Sequence, residues 1–347
     1  MPGGAGPSTL WGMGSRKRVL VGDVGGTKSL LAVAEVEGER TRFSVERSFP
    51  SARYDSLEAL VREFVAETGA RAECACFGVP CPVVGEQCRV PNLPWTVGER
   101  RLAEAAGVAR ARLVNDFIAV GWGIGRLAPE DVVTLQEGES DPRGAVALLG
   151  AGTGLGAGFL VWDGERRRPQ PSEGGHADFA PRDDLEWGLA GSLRREHGHV
   201  SWERVLSGAG LAAAYRHLVA SGAAPAAPAV EEQMRGEDPA AVVSRHALAG
   251  TDEGCRRALD LFASLYGAQA GNLALEVLAT GGVYLAGGIA PRIVERLREG
   301  GFLRSFRDKG RFAGLLERIP VRVIVSPRVA LLGAAAVGAG LTEGGGR

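Results

Sequence analysis

Short apolar segments alternate with helical patterns between residues 18 and 341, and glycine turns join many of them. Apolar runs of four to eight residues are typical of β-strands, and apolar residues spaced three and four apart are typical of helices. The pattern predicts strands at 19–21, 29–35, 42–48, 72–79, 112–114, 145–149, 157–162, 282–285 and 321–325. It predicts helices at 56–67, 96–106, 117–124, 185–197, 211–219, 239–248, 252–278, 291–298 and 330–338, with a Pro/Ala-rich connection at 220–237. This alternation predicts an α/β protein.

The first glycine turn follows the first predicted strand, in the segment VLVGDVGGTK from Val19 to Lys28. Backbone N–H groups made accessible by glycines can approach phosphate oxygens closely. An aspartate beside such a turn, here Asp23, can hold a hydrated Mg²⁺. The segment differs from the P-loop motif because Thr27 stands where glycine is required, and a P-loop opens into a helix. Strand-like residues follow this turn, so the sequence favours a hairpin.

A second turn, from Gly150 to Gly156, repeats the arrangement of strand, Gly/Thr turn and strand. Its Gly152-x-Gly154-x-x-Ala157 spacing also fits a loose dinucleotide fingerprint, but a strand follows where that fingerprint requires a helix. Two copies of one unit predict a duplicated pair of α/β domains with a nucleotide between them.

Length and composition narrow the class of protein. A chain of 347 residues suits two domains. Forty Lys and Arg balance forty-one Asp and Glu, which argues against a general nucleic-acid or membrane-surface binder. Glycines interrupt the longest apolar stretches, so no membrane span is predicted. Residues 1–17 lack the pattern of a signal peptide and are expected to form a flexible extension.

Five cysteines are present, four of them between Cys74 and Cys88. Their spacing is not that of a paired C-x-x-C zinc site, and Cys74 and Cys76 fall in a predicted buried strand. The sequence therefore favours reduced thiols without disulfides, which is typical of a cytoplasmic protein.

Two sets of polar residues are candidates for a catalytic or metal-binding role. Asn115 and Asp116 end a strand and open a helix, where α/β folds place catalytic groups, but the same pair also suits a helix N-cap. Glu173 and His176, near His197 and His199, could bind zinc, although the spacing is not His-Glu-x-x-His and a Gly-Gly loop separates them. The residues alone leave the role of Asn115 and Asp116 open, and they disfavour zinc at the second set.

From about Arg18 to Leu341 the chain resembles the bacterial ATP-dependent glucokinases of the actin-like sugar-kinase superfamily. The resemblance rests on an ordered set of segments: VGDVGGT from Val21, Asn115-Asp116-Phe117, GAGTGLG from Gly150, EGGHADFAP from Glu173, GHVSWERVLSG from Gly198 and AGGI from Ala286. The cysteine-rich zinc motif of the related repressor-and-sugar-kinase group is missing, which places the resemblance with the branch that lacks this motif.

The resemblance implies two actin-like (ribonuclease H-like) α/β domains with a central interdomain cleft. It implies a small domain of residues 18–126 plus 319–347 and a large domain of residues 127–318. It also implies a cytoplasmic homodimer that binds glucose and ATP, with no nucleic-acid or membrane partner.

The implied activity is ATP-dependent phosphorylation of glucose at the 6-hydroxyl, with Asp116 as the base and Mg²⁺ as the metal. The implied sugar ligands are Asn115, Asp116, Glu173, His176 and Glu203, and Asn92 is expected in a loop near them. The implied nucleotide residues are Gly22, Asp23, Val24, Gly25, Gly26, Thr27, Gly152, Thr153, Gly154, Gly287 and Gly288, among which Asp23 organises Mg²⁺, through water.

Two rival functions remain at this level. The chain could phosphorylate mannose, fructose or an N-acetylated amino sugar instead of glucose. It could also be a sugar-sensing regulator with a kinase fold. About eighteen residues precede the first strand, too few for the helix-turn-helix that such regulators carry.

Overall fold

The computed structural model describes residues 16–91 and 93–341, in which strands and helices alternate along most of the chain. The strands are β1 (Lys17–Val24), β2 (Lys28–Glu37), β3 (Arg40–Pro50), β4 (Cys74–Val79), β5 (Gln87–Arg89), β6 (Thr96–Gly98), β7 (Ala111–Asn115), β8 (Val132–Gln136), β9 (Val146–Ala151), β10 (Leu155–Trp162), β11 (Arg167–Gln170), β12 (Gly282–Ala286) and β13 (Val321–Ile324). The α-helices are α1 (Leu57–Thr68), α2 (Glu99–Ala106), α3 (Asp116–Ile124), α4 (Asp184–His197), α5 (Trp202–Val205), α6 (Gly208–Ala220), α7 (Pro228–Gly236), α8 (Pro239–Ala249), α9 (Glu253–Glu276), α10 (Val294–Arg298), α11 (Gly301–Arg307), α12 (Ala313–Arg318) and α13 (Val329–Leu341). Short 3-10 helices cover Ser51–Arg53, Pro129–Asp131, Gly174–His176, Ala290–Ile293 and Gly310–Phe312.

The chain forms two compact units. The first ends at Ala119 and resumes at Ala330, and the second runs from Val120 to Val329. The first contains a five-stranded sheet in the order β3-β2-β1-β4-β7, and the second a six-stranded sheet in the order β11-β10-β9-β12-β13-β8. Each sheet contains a matching antiparallel pair, β1 with β2 and β9 with β10, and this confirms the predicted repeat. It also confirms that a strand, not a P-loop helix, follows each Gly/Thr turn.

Alternate residues of β1 face opposite sides of the first sheet, as the period of a strand requires. Leu20 packs with the buried side chains of α1 and α2, whereas Val19 and Val21 pack against α13. A side chain at Gly338 would collide with Val19, so this helix lies close to the sheet because its residues are small.

One buried tyrosine of α9 ties together the two central strands of the second sheet. The Tyr266 hydroxyl donates to the Leu149 carbonyl at 3.2 Å and accepts from the Ala151 N–H at 3.2 Å. The Ala286 carbonyl lies 3.4 Å from the same hydroxyl. Because Ala151 and Ala286 end β9 and β12, this side chain holds the points where both glycine turns begin.

The boundaries of the two units differ from the predicted domain boundaries at 126/127 and 318/319. Strand β13 pairs with β12 and β8, so residues 319–329 lie in the second unit and not with the small domain. The first boundary falls inside α3, after Ala119. The sequence pattern showed where β13 lies in the chain but not which sheet it joins, since pairing partners are chosen by tertiary packing.

Three predicted elements also need correction. Residues 96–98 were expected to begin a helix, but they form β6, which pairs with β5 as a separate two-stranded sheet. The predicted connection 220–237 contains α7, which buries Val230 and Met234. Residues 291–293 are 3-10 helical, and the α-helix begins at Val294.

The cysteines differ from the expectation of reduced thiols throughout. Cys81 and Cys88 form a disulfide, with Cα atoms 6.2 Å apart. The loop between β4 and β5 folds back on itself and brings them together, a closure that local pattern does not reveal. Cys74, Cys76 and Cys255 are buried free thiols. No helix within the described residues is both long and apolar enough to cross a membrane.

Candidate active site

The carboxyl ends of three neighbouring parallel strands bring two carboxylates of the first unit together. Asp23 near the end of β1 is paired with Gly78 of β4, and Asn115 at the end of β7 is paired with Val79. A Cβ built on Gly78 would lie 3.6 Å from the Asp116 Cα. Small strand residues thus leave space for Asp23 and Asp116 at one edge of the sheet, where α/β folds place reactive groups.

Asn115 and Asp116 both cap α3. The Asn115 Oδ1 accepts hydrogen bonds from the N–H groups of Phe117 and Ile118, at 3.0 Å and 3.2 Å. The Asp116 Oδ1 accepts from the Phe117 N–H at 2.8 Å. These bonds satisfy orphan donors in the first turn of the helix and fix both side chains in place. A capping role is therefore present for both residues.

Burial and a second negative charge shift the protonation of Asp23. Its side chain is largely withdrawn from solvent, and desolvation raises its pKa from 3.8 to about 6, with the nearby Asp116 charge adding to the shift. A group shifted by burial and by a like-charged neighbour is typical of a functional site.

The first Gly/Thr turn is a closed hydrogen-bonded loop. The Gly25 N–H donates to the Lys28 carbonyl at 3.1 Å, and a Cβ at Gly25 would lie 2.8 Å from that oxygen. Ser51 holds both sides of the turn, since its hydroxyl donates to the Gly25 carbonyl at 2.6 Å and its N–H donates to the Thr27 carbonyl at 3.0 Å. The tip, at Gly26 and Thr27, is exposed. The turn can therefore present backbone groups to an anion without losing its shape.

The second Gly/Thr turn lies beside two other glycines of the second unit, Gly208 and Gly287. The Gly152 N–H donates to the Gly154 carbonyl at 2.8 Å, which closes the turn and leaves Thr153 exposed at its tip. Gly287 has a φ of 79°, and a side chain there would collide with the Ala151 carbonyl. Only glycine allows the backbone to pass so close.

The predicted sugar residues of the second unit also gather. His176 ends the 3-10 turn that Glu173 opens, and its N–H donates to the Glu173 carbonyl at 2.9 Å. The His176 Nδ1 lies 4.0 Å from the Glu203 Oε1. The other oxygen of Glu203 accepts from the Leu155 N–H at 2.9 Å. We call residues 173–176 the sugar loop. Glu203 therefore connects this loop to the second Gly/Thr turn.

Each unit thus brings together its own share of the predicted residues. Gly22 to Thr27, Asn115 and Asp116 belong to the first unit, and the remaining predicted site residues belong to the second. Asn92 lies outside the described residues. Among those described, no three His, Cys, Asp or Glu side chains gather where they could share a metal ion.

Sequence reasoning missed Ser51 as a support of the first turn. The sequence could have indicated this role only indirectly. Lys28 pairs with Pro50 in the β2–β3 hairpin, so Ser51, the residue after Pro50, lies beside the turn. A bulge between Val33 and Ala34 shifts that register by one residue.

Comparisons with known proteins agree over nearly the whole chain. The family model described as Glucokinase matches residues 20–340. A glucokinase of Nostoc sp. is 41% identical over 333 residues, covering 91% of this chain and 97% of its own length. A glucokinase of Yersinia enterocolitica is 41% identical over 319 residues, covering 91% of this chain and 95% of its own length.

Solved structures share the fold. The crystal structure of a glucokinase from an Antarctic psychrotroph has a TM-score of 0.81 at 31% identity, covering 93% of this chain and 99% of its own. A ROK family glucokinase of Streptomyces griseus, solved with glucose and AMPPNP, has a TM-score of 0.64 at 20% identity and covers 93% and 99%. These neighbours confirm the predicted actin-like class, and the match over residues 20–340, with relatives about 40% identical, shows that this chain belongs to the glucokinase family.

Proposed function

We propose that this protein transfers the γ-phosphoryl group of ATP to the 6-hydroxyl of glucose, giving glucose 6-phosphate and ADP. The observation that carries the proposal is the carboxylate pair at the strand edge, Asp116 at the start of α3 and Asp23 near the end of β1, in a chain of the glucokinase family.

In the proposed reaction the sugar 6-oxygen forms a bond to the γ-phosphorus. The bond from that phosphorus to the β–γ bridging oxygen breaks, and ADP leaves with the electron pair. Asp116 takes the proton of the 6-hydroxyl as the new bond forms, as a general base must. The helix cap supports this role, because the Phe117 N–H holds the carboxylate in one orientation.

The two Gly/Thr turns would bind the phosphates. Each has an exposed tip, Gly26-Thr27 in the first turn and Thr153 in the second, and an internal hydrogen bond that closes it. Phosphoryl transfer depends mainly on positioning and on neutralisation of charge, so preformed N–H donors are suited to it. Gly22, Val24 and Gly25 support the first tip, and Gly152 and Gly154 the second.

The donor set of the first unit fits Mg²⁺. Carboxylate oxygens are the ligands this cation prefers, and it usually keeps several waters. Asp23 would hold it through water, and a cation here would offset the desolvation and the Asp116 repulsion that together raise the Asp23 pKa. When bound, Mg²⁺ supplies neutralisation of the β- and γ-phosphate charges.

Sugar recognition would use fixed polar groups of the predicted sugar residues. The Asn115 Oδ1 is occupied by the helix cap, so its Nδ2 donors are the atoms offered to a sugar oxygen. Glu173, His176 and Glu203 would contact further hydroxyls. A sugar with an inverted or missing hydroxyl would leave such groups unpaired, which is the usual basis of strong discrimination.

A coupled assay of glucose, mannose, fructose and an N-acetylated amino sugar, each with ATP and Mg²⁺, tests the proposed substrate. We expect the largest kcat/KM for glucose, by about tenfold or more, since one unpaired buried polar group costs about 1–3 kcal/mol. A larger kcat/KM for another hexose would reassign the substrate. Absence of turnover with every hexose would contradict a kinase and favour a regulator.

The change Asp116→Asn tests the proposed base. We expect kcat to fall by a factor of about 100 or more, because the amide cannot accept the proton. The amide oxygen can still accept from Phe117, so the fold and the glucose Kd should stay close to wild type. Glucose binding measured by calorimetry is the control, and a kcat near wild type would contradict the assignment.

We also infer a cytoplasmic homodimer that carries out the first step of glycolysis from free glucose. The homodimer and the glycolytic step rest on the family resemblance of the sequence. The cytoplasmic location rests on the same resemblance and on the need for ATP as the donor.

A further inference from the structure

The disulfide between Cys81 and Cys88 lies in the first unit, next to the strand end that carries Asn115. The Cys81 N–H donates to the Val79 carbonyl at 2.9 Å, and Val79 is paired with Asn115 across β4 and β7. The disulfide therefore fixes the path of the chain where it leaves β4, at the edge of the sheet that holds the carboxylate pair.

Cys88 ties a small separate sheet to this exit from β4. It is the middle residue of β5, and β5 and β6 form a two-stranded sheet of their own. A two-stranded sheet is marginally stable by itself, so its position depends on its attachments. The disulfide attaches it covalently, and Val90, Trp95 and Val97 pack in the apolar core of the first unit. Reduction of the disulfide would remove the covalent attachment and leave this packing, so the sheet would loosen while the unit stays folded.

The segment between the two cysteines is a short exposed turn. Val84 is 80% exposed, Gly85 has a φ of 63°, and Val84 forms an isolated bridge with Gln87. Cys81 and Cys88 are themselves buried, at 4% and 6% exposure. Exposed turns with few buried contacts open locally at a much lower free energy than the whole unit. Such an opening lets a dithiol reach the two sulfurs.

The other cysteines are poor partners for thiol exchange. Cys74, Cys76 and Cys255 are buried free thiols. Burial raises the pKa of the Cys74 thiol to about 11, and burial also raises the pKa of Cys76 and Cys255. Because the thiolate is the reactive form, these three groups are inert at neutral pH. Thiol–disulfide chemistry is therefore confined to Cys81 and Cys88.

We propose that the Cys81–Cys88 pair is a redox switch of glucose affinity, in which the oxidised form binds glucose more tightly. Disulfides are rare in cytoplasmic proteins and, where present, usually have a catalytic or redox-sensing role. The oxidised form holds the exit from β4 beside Asn115, a proposed sugar ligand. This inference rests on the proposed function, because it takes the cytoplasm as the location and glucose as the ligand.

The switch needs a dithiol reductant. A thiolate of the reductant attacks one sulfur of the pair, which forms a mixed disulfide and releases the other cysteine to take up a proton. The second thiol of the reductant then displaces the mixed disulfide, and the first cysteine takes up a proton too. Two electrons and two protons pass to the protein, and the reductant becomes a disulfide.

Equilibration of the full chain with mixtures of reduced and oxidised dithiothreitol tests the switch. Acid quenching, alkylation under denaturing conditions and mass spectrometry count the thiols, and calorimetry gives the glucose Kd of the same samples. We expect three thiols in the oxidised form and five in the reduced form. The glucose Kd should rise about three- to tenfold over the same transition, since a loosened polar contact loses about one net hydrogen bond. Reoxidation should restore it.

Two variants separate this pair from the other cysteines. The double variant Cys81→Ser with Cys88→Ser should keep the glucose Kd of the reduced wild type in every mixture. The matched control is Cys255→Ser, which removes a thiol of the second unit and leaves a hydroxyl that can still contact Asp252. It should switch as wild type does.

Five thiols in every mixture would overturn the inference, because no disulfide would then form. A disulfide transition that leaves the glucose Kd unchanged would also overturn it, as would a shift of the glucose Kd that persists in the double variant. None of these measurements needs turnover. If no hexose is phosphorylated but the glucose Kd follows the thiol count, the proposed function fails and the switch stands.

Discussion

At the scale of single residues, Glu203 connects the second Gly/Thr turn to the loop that carries His176. One carboxylate oxygen accepts from the Leu155 N–H of the second Gly/Thr turn, and the other lies 4.0 Å from His176 of the sugar loop. A Cβ on Gly154 would lie 2.5 Å from this carboxylate, so glycine is needed for the contact. A substitution at Glu203 should therefore change KM for both glucose and ATP.

The changes Glu203→Ala and Glu203→Gln separate these two contacts. We expect the alanine variant to raise KM for glucose and for ATP, each about tenfold, because it frees the Leu155 N–H and removes the sugar ligand. The glutamine oxygen can still accept from Leu155, so that variant should raise only the glucose KM. The same assay on His176→Ala should also show a change for glucose alone. An unchanged ATP KM in Glu203→Ala would contradict the link.

Asn115 and Asp116 show why local pattern could not decide between a cap and a catalytic group. The cap is real, since three hydrogen bonds to Phe117 and Ile118 use it. Capping and catalysis are compatible roles, because a carboxylate has two oxygens with several lone pairs. The capping bonds supply the orientation that a general base requires.

At the scale of elements, the β2–β3 hairpin delivers Ser51 to the first Gly/Thr turn. Ser51 is buried, and its hydroxyl lies between the Gly25 carbonyl at 2.6 Å and the Ser29 hydroxyl at 2.9 Å. A short 3-10 helix begins at this residue and turns the chain towards α1. The first Gly/Thr turn is therefore supported by the first residue of this 3-10 helix, an element that contributes no proposed ligand.

Ser51→Ala tests this support. Removing the hydroxyl leaves the Gly25 carbonyl without its donor and should cost about 1–3 kcal/mol of unfolding free energy. We expect KM for ATP to rise about three- to tenfold, with KM for glucose unchanged. A general loss of stability would not produce this difference between substrates.

The matched control is Ser44→Ala. Ser44 lies on β3, the strand that precedes Ser51, is exposed, and donates a 3.4 Å bond to the Val33 carbonyl far from the turn. It should leave both KM values unchanged. If the two variants behaved alike, Ser51 would have no positioning role.

At the scale of the whole molecule, the buried carboxylate of Asp23 opposes folding at neutral pH. Its pKa is about 6 in the folded protein and about 3.8 when exposed. Above pH 6 both states are ionised and the folded state bears the full desolvation penalty. As the pH falls from 6 to 4 the folded state takes up a proton and the penalty disappears. The ionised Asp23 carboxylate therefore lowers the folding stability at a position proposed to bind metal, a trade-off that is common at functional sites.

Asp23→Asn should therefore stabilise the protein while abolishing turnover. In magnesium-free buffer at pH 7.5 (a value chosen about 1.5 units above the folded pKa) we expect a gain of about 1–3 kcal/mol in the free energy of unfolding. The gain should shrink towards zero by about pH 4, because wild-type Asp23 is then protonated too. Urea unfolding across this range measures it. A gain independent of pH would contradict the burial of a charge at Asp23.

The sequence by itself determined the α/β class, the strand–turn–strand repeat, the two Gly/Thr turns and the pair at Asn115 and Asp116. These are local properties, since apolar period, glycine content and order along the chain are visible without partners. Family membership followed from the ordered motifs for the same reason. The sheet that β13 joins, the helix α7 and the Cys81–Cys88 disulfide were not visible, because each depends on a segment that lies distant in the chain or on loop closure. Only the tertiary structure placed Ser51 under the first turn and Glu203 across the second. Each of those contacts joins residues that the fold, not the local pattern, brings together.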